Sequence, residues 1–324
     1  FAFCGNQSLL AREVMSKPLL TAGPDIDVQE AYKRMQKAKK KVLPLIDNAG
    51  KVIGMYVFTD VKRIVSGNLQ SYNTDVNGQL RVAAAIGVYD DAFSRLEKLL
   101  ENKVDLIVID TAHGDSKPVI ETIKEIKKKY SVDVVIGNIS DAESAKRLIK
   151  AGADGLKVGQ GPGAICTTRI VAGIGTPQVT AIYECCKVAD KYDVPVCADG
   201  GLRYSGDIPI AIGAGASSVM MGGMLAGTKE SPGEVVFQQG RQWKYYRGMG
   251  SLGAMESNLS SRQRYNQGKG AIVPEGVESI VPFKGELKDV MVQYIGGLRK
   301  GMGYVGAANI QELKSKANFR RITQ

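Results

Sequence analysis

From about residue 80 onward, short apolar runs alternate with longer segments of helical period. The runs begin near Arg81-Val82-Ala83-Ala84-Ala85 and recur at Val104–Asp110, Val132–Asn138, Gly155–Gly159, Val194–Gly200 and Ser217–Gly222. Amphipathic stretches separate them, at 92–101, 119–129, 142–151 and 179–191. A strand that is apolar throughout needs cover on both faces, and its alternation with helices predicts a parallel sheet. Each run after the first ends in polar or glycine-rich residues, such as Asp110-Thr111-Ala112-His113-Gly114, Gly137-Asn138, Asp199-Gly200-Gly201 and Gly222-Gly223. Functional groups at the C-terminal ends of successive strands predict an α/β fold of the TIM (β/α)8 barrel type. No strand–GxGxxG–helix unit supports a dinucleotide-binding sheet instead. Six strands are visible where a barrel has eight.

The first 66 residues read differently. From about residue 12 they form a small α/β module: a helix over Val28–Met35 with Asp25 or Asp27 as N-cap, a strand over Val42–Asp47, a turn at Asn48-Ala49-Gly50 and a strand over Val52–Phe58. Thr59-Asp60 is the expected N-cap of a second helix. A polar linker rich in Asn, Ser and Gly spans 67–79, and the barrel occupies 80–324.

Composition supports this division. The 324 residues are 44% hydrophobic, only 6% aromatic, and include 38 glycines, which suits tight strand-to-helix turns better than a β-sandwich. No apolar run has the length of a membrane span. Five cysteines without regular spacing point to a reducing compartment, hence a cytoplasmic protein. A single histidine excludes His-rich metal sites. The net charge of +10 raises the question of nucleic acid. However, the lysines are scattered over helix faces without interleaved aromatics, and an anionic small substrate accounts for them equally well.

The densest chemistry lies in Gly161-Pro162-Gly163-Ala164-Ile165-Cys166-Thr167-Thr168-Arg169. Here a cysteine sits in a glycine-built turn directly after an apolar strand. Such a position suits a nucleophile, because exposure and nearby positive charge favour the thiolate. It also suits a small residue filling a turn.

Taken together, this turn, Ala198-Asp199-Gly200-Gly201, the segment 221–228, Tyr246-Arg247-Gly248-Met249-Gly250-Ser251, Arg264-Tyr265 and Val273-Pro274-Glu275-Gly276 resemble the inosine-5′-monophosphate (IMP) dehydrogenase family. The motifs run in family order from about residue 10 to the end. The resemblance implies that 1–66 is the second CBS module of an inserted pair, able to take an adenine or guanine nucleotide. It also implies that the first CBS module and the first two barrel strands, roughly 150–200 residues, lie N-terminal to this chain.

The same resemblance implies roles for individual residues. Cys166 would attack C2 of IMP and hydride would pass to NAD. Water would then hydrolyse the covalent thioimidate to xanthosine monophosphate. Thr168 would position the cysteine or the substrate, and Arg264 with Tyr265, on a mobile flap at about 252–280, would activate the water. Substrate would be held by Asp199 at the ribose and by Gly200, Gly201, Gly222, Gly223 and Tyr246 at the phosphate. Gly248, Met249, Gly250 and Glu275 would hold the base. Ala164 stands at a phosphate contact where the family normally has serine. NAD would meet Asp110, Asn138, Gly159 and Gly161, with Thr111, Ala112 and His113 on the adenosine side. Potassium would be held by the carbonyls of Gly161, Gly163 and Cys166, and the assembly would be a homotetramer. Two other readings compete: GMP reductase, which shares the barrel and the cysteine turn, and an inactive CBS-type nucleotide sensor.

Overall fold

The structure is a computed structural model that describes residues 19–67, 73–75, 78–88, 91–265, 267 and 270–322. The start of the small module, parts of the linker and three residues of the flap segment lie outside the described residues. The chain separates into two compact units, one up to Arg81 and one from Val82.

The first unit is built on an antiparallel pair, β1 (Val42–Ile46) and β2 (Val52–Val57), flanked by the helices Val28–Ala38 and Phe58–Val65. Asp27 caps the first helix, accepting from the amides of Gln29 and Glu30 at 2.9 and 3.2 Å. Ala31, Met35, Leu43 and Val61 close the core. The second helix does not begin on a Thr59 or Asp60 cap. It starts at Phe58, whose ring stacks on Tyr32 at 5.4 Å, and Val57 in the cap position makes no side-chain bond. The aromatic packing fixes the chain direction there, and Asp60 falls in the first turn, beside Arg63.

The second unit contains the six expected strands: β3 (Ala83–Ile86), β4 (Leu106–Asp110), β5 (Asp133–Ile139), β6 (Gly155–Val158), β7 (Val196–Asp199) and β8 (Ser218–Met220). They pair in parallel in sequence order as a half-barrel sheet. The helices 91–101, 117–129, 142–151 and 178–189 lie between them in the chain. Ile107, Ile109, Val134, Ile136, Leu148, Leu156 and Ala198 form one core with the inward faces of those helices.

A second sheet was not foreseen. Here β9 (Val235–Gln238), β10 (Arg241–Arg247) and β11 (Glu278–Pro282) pair antiparallel with β10 in the middle. Gln239 and Gly240, both at positive φ, turn β9 into β10, as a two-residue hairpin requires. Lys244 of β10 is buried, with its ammonium held by the carbonyls of Thr228 (2.9 Å), Lys229 (3.3 Å) and Ser231. Those carbonyls anchor β10 to the loop that follows the glycine turn after β8, and the site residues ride on both.

Candidate active site

The nucleophile turn leaves β6 at Gly159, where φ is +146°. A Cβ there would strike the Asp199 carbonyl and the Gln178 side chain, so glycine lets β6 and β7 end side by side. The turn then folds back over the strand ends. Cys166 N–H donates to the Gly163 carbonyl at 3.1 Å, and Cys166 forms an antiparallel bridge with Gly276. Thr167 N–H donates to Glu275 O (2.8 Å) and Val277 N–H to Ile165 O (3.0 Å). Glu275 and Val277 are in turn bonded to Gly250 and Gly248, at 2.9 and 3.2 Å. Backbone pairing alone therefore fixes the cysteine turn, the segment 275–277 and the 248–250 loop against each other.

The side chains on this lattice form a line. Cys166, half-buried, places Sγ 3.2 Å from Thr168 Oγ1, and Thr168 Oγ1 donates to Glu275 Oε2 at 2.8 Å. A hydroxyl has one hydrogen. With that hydrogen committed to Glu275, Thr168 can only accept from the thiol. The arrangement is S–H to hydroxyl to carboxylate, a ready path for drawing the proton from sulfur.

Arg264 and Tyr265 approach the same place from the helix Leu259–Arg264. The Tyr265 ring covers Gly250, where an added Cβ would lie 2.8 Å from the phenol oxygen. Burial raises the Tyr265 phenol above its ordinary range, the Arg264 charge opposes this, and Cys166 and Glu275 add to it. Burial pushes the Arg264 guanidinium below its ordinary value against the favourable effect of Tyr265. Arg264 Nη1 ion-pairs with Asp110 Oδ2, but neither Nε nor Nη1 has a well-aligned hydrogen bond among the described residues. The Arg264 carbonyl also accepts from Ala112 N–H at 2.9 Å. The segment expected as a polar flap therefore includes two short helices, Leu252–Ser257 and Leu259–Arg264, the second resting on the end of β4.

Beneath the cysteine turn lies a residue that the sequence reading passed over. Lys157, in the middle of β6, is 4% exposed. Its Nζ meets Asp110 Oδ1 at 3.1 Å, Asn138 Oδ1 at 2.8 Å and Asp199 Oδ2. Asn138 Nδ2 also donates to Asp199 Oδ2 (2.8 Å) and Gly159 O (2.7 Å). One ammonium thus gathers the polar ends of β4, β5 and β7. The one signal in the sequence was a lysine inside the apolar run Gly155–Gly159, since lysine is almost never fully buried without partners.

A cavity of about 780 Å³ joins the cysteine line to Asn138 and Asp199, with Lys157 and the expected cofactor residue Asp110 outside its lining. Thr111, Ala112, His113, Asn138, Gly159 and Gly161 line one part; Cys166, Thr168, Asp199, Tyr246, Arg264, Tyr265 and Glu275 line the rest. Gly163, Gly200, Gly248, Met249 and Gly250 also face it. Four expected substrate residues stand outside its lining: Ala164, Gly201, Gly222 and Gly223. Ala164 faces Gly223, their Cβ positions 3.5 Å apart, and Gly222 lies against the Tyr246 hydroxyl. Gly222 lines a neighbouring cavity of about 970 Å³ that shares the wall Tyr246–Met249. The Gly200 amide, expected to face a phosphate, donates instead to the Met220 carbonyl at 3.1 Å. Its N–H is committed to the sheet. Burial, and then the Asp199 charge, raises the Tyr246 phenol. Among the described residues no cluster of His, Cys, Asp and Glu could hold a metal, and no helix is long and apolar enough to cross a membrane.

A curled parallel β/α sheet with a cysteine and its polar partners at the C-terminal strand ends defines the class, a barrel-type enzyme fold. A family model described as the IMP dehydrogenase / GMP reductase domain matches residues 24–324, and the chain belongs to that family. It is similar to inosine-5′-monophosphate dehydrogenase of Aquifex aeolicus, with 54% identity over 315 residues, 96% of this chain and 64% of that protein. The enzyme of the same name from Bacillus subtilis is 45% identical over 99% of this chain and 66% of that protein. Among solved structures, a GMP reductase variant from Trypanosoma brucei in complex with guanosine 5′-monophosphate matches with a TM-score of 0.84 and 42% identity. That match covers 94% of this chain and 63% of the other. The chain spans about two-thirds of the length of the curated relatives it matches. The reductase match takes in nearly the whole chain, so the small first unit does not separate reductase from dehydrogenase.

Proposed function

We propose that the protein to which this chain belongs oxidises inosine 5′-monophosphate to xanthosine 5′-monophosphate through a covalent bond to Cys166. The observation that carries this reading is the Cys166–Thr168–Glu275 line, 3.2 and 2.8 Å long, facing one cavity with Arg264 and Tyr265. Cys166 sulfur bonds to C2 of the purine while its proton leaves along Thr168 toward Glu275. When bound, NAD accepts the hydride that departs from C2. A water proton then passes to the Arg264–Tyr265 pair as the water oxygen adds to C2. The C–S bond breaks, and Cys166 returns with the product released. Covalent catalysis of this kind divides one difficult step into two.

The residues present suit NAD. A pocket of this size holds a ligand of that class. Thr111 and Asn138 line it together with Gly159 and Gly161, and Asp110 lies just behind that lining, held by Lys157 and Arg264. Arg264 and an incoming cofactor compete for Asp110, so the helix Leu259–Arg264 at Asp110 and NAD in the cavity are alternatives. Potassium suits the cysteine turn, where the carbonyls of Gly161, Gly163 and Cys166 would hold it. A carbonyl has two lone pairs, so that of Gly163 can accept from Cys166 N–H and still face a cation. The resemblance supports a homotetramer and an adenine or guanine nucleotide at the small unit, read as a CBS module.

A second reading, GMP reductase, draws on the TM-score of 0.84 to a reductase. The deciding experiment follows NADH absorbance with the whole protein, inosine monophosphate, NAD and potassium, beside Cys166→Ala. NADH formation that disappears in the variant supports the dehydrogenase. NADPH consumption with guanosine monophosphate, and no NADH from inosine monophosphate, moves the assignment to the reductase.

A further inference from the structure

One polar cluster at the cavity has no part in the chemistry above: Gln160, His113, Ser140 and Thr176. We propose that Gln160 is a positioning residue for cofactor binding. It fixes His113, the only histidine of the 324 residues, as the tautomer protonated on Nε2. His113 then presents a neutral N–H donor to an acceptor atom in the adenosine half of the dinucleotide. The proposal rests on the reading of the Thr111–His113 end as the NAD end.

The direction of each bond follows from its partners. Gln160 Nε2 lies 3.3 Å from the Ala112 carbonyl and 3.5 Å from the Asn138 carbonyl, and carbonyls only accept. At its other end, Gln160 Oε1 accepts from Ser140 Oγ at 2.6 Å. Ser140 has that hydrogen to give because its oxygen accepts from Thr176 Oγ1 at 3.1 Å. The amide is therefore oriented with its NH2 toward His113, whose Nδ1 is 3.1 Å away. Of the two NH2 hydrogens, one goes to Nδ1, the nearest of the three partners at 3.1 Å against 3.3 and 3.5 Å for the carbonyls, and Nδ1 must then offer a lone pair. A neutral imidazole has one protonated nitrogen, so the proton resides on Nε2, across the ring from Gln160.

The backbone that carries the ring is held on both sides. Gly114 N–H donates to the Asn138 carbonyl at 2.7 Å. Asp115 receives Arg147 through both carboxylate oxygens, and Ser144 at 2.9 Å. Both Gln160 and His113 line the cavity that holds Cys166. Fixing the tautomer in advance removes an ordering cost from binding.

The test uses the whole protein labelled with 15N-histidine, in mildly alkaline buffer where a free imidazole is neutral. His113 is assigned by difference from His113→Gln. Long-range proton–nitrogen correlation distinguishes the two tautomers. The wild type shows the Nε2–H form. Gln160→Leu shows a mixture, and Gln160→Glu, which puts an acceptor-only carboxylate at the same place, shifts the ring toward Nδ1–H. In Gln160→Leu the KM for NAD rises roughly two- to tenfold, the range of one neutral hydrogen bond, while kcat and the KM for inosine monophosphate change less. An Nδ1–H wild type, or a spectrum unmoved by both substitutions, overturns the positioning role. A shifted tautomer with an unchanged KM for NAD overturns the reading of this end as the cofactor end.

Discussion

Arg264 reaches across from the helix Leu259–Arg264 to ion-pair with Asp110, the last residue of β4. The same carboxylate receives Lys157 at 3.1 Å. Two cations from different elements, Lys157 of β6 and Arg264 of the helix, thus share one acid. In the proposed reaction, Arg264 serves the hydrolytic half and Asp110 serves the cofactor.

Replacing Arg264 with Gln should therefore spare the first half-reaction and slow the second, by roughly 10²–10⁴-fold for a lost general base. Rapid mixing should show a burst of NADH equal to the active-site concentration, followed by a slow phase. The pH dependence has a definite sign. Burial lowers the Arg264 pKa below the ordinary guanidinium value, which enlarges its neutral fraction at any given pH, and that fraction grows as pH rises. Turnover limited by hydrolysis should increase with pH in the wild type and lose that slope in the variant.

Lys157→Met should destabilise the second unit by about 3–5 kcal/mol, because Asp110 and Asp199 are left facing each other without their shared cation. Urea unfolding should report the loss as a lower midpoint. Adding Asp199→Asn should recover part of it, and simple additivity of the two changes would argue against the coupling described here.

Ala164→Ser should tighten substrate binding. The new hydroxyl would stand opposite Gly223, at the turn assigned to the phosphate. One charge-assisted hydrogen bond contributes about 1.5 kcal/mol, roughly a tenfold lower Kd for inosine monophosphate by calorimetry. An unchanged Kd would place the phosphate elsewhere.

Thiol alkylation should discriminate among the cysteines. Cys185 and Cys186 are buried, and burial pushes both thiols up to about 12. Iodoacetamide at neutral pH should modify Cys166 well ahead of them, as read by peptide mass spectrometry. Inosine monophosphate should protect Cys166.

The barrel strands were legible because each is an apolar run between amphipathic helices, and their parallel order followed from the alternation. The β9–β11 sheet was hidden for the opposite reason. Arg241–Arg247 lies in a largely exposed strand with one buried lysine, so neither alternation nor an apolar run marks it. The motif residues were visible as motifs, yet Lys157 and Gln160 were not, since their significance comes from strand ends that only the fold brings together. Thr59-Asp60 misled because a good capping sequence yielded to the Tyr32–Phe58 stack. The Gly200 residue lines the cavity as expected, but its amide is spent on the Met220 carbonyl between β7 and β8, a pairing that the sequence does not display.

Trp243 is the only tryptophan of the 324 residues, and it sits in β10 opposite Pro282 of β11. β11 follows directly on the segment 275–277 that bridges to Cys166. The nucleophile turn and the indole thus lie at opposite ends of one run of chain, Gly276 to Pro282. A lone indole at the far end of that run makes its emission a label-free gauge of whether β10 and β11 stay paired when the cysteine turn is perturbed, with no dye attached near the site.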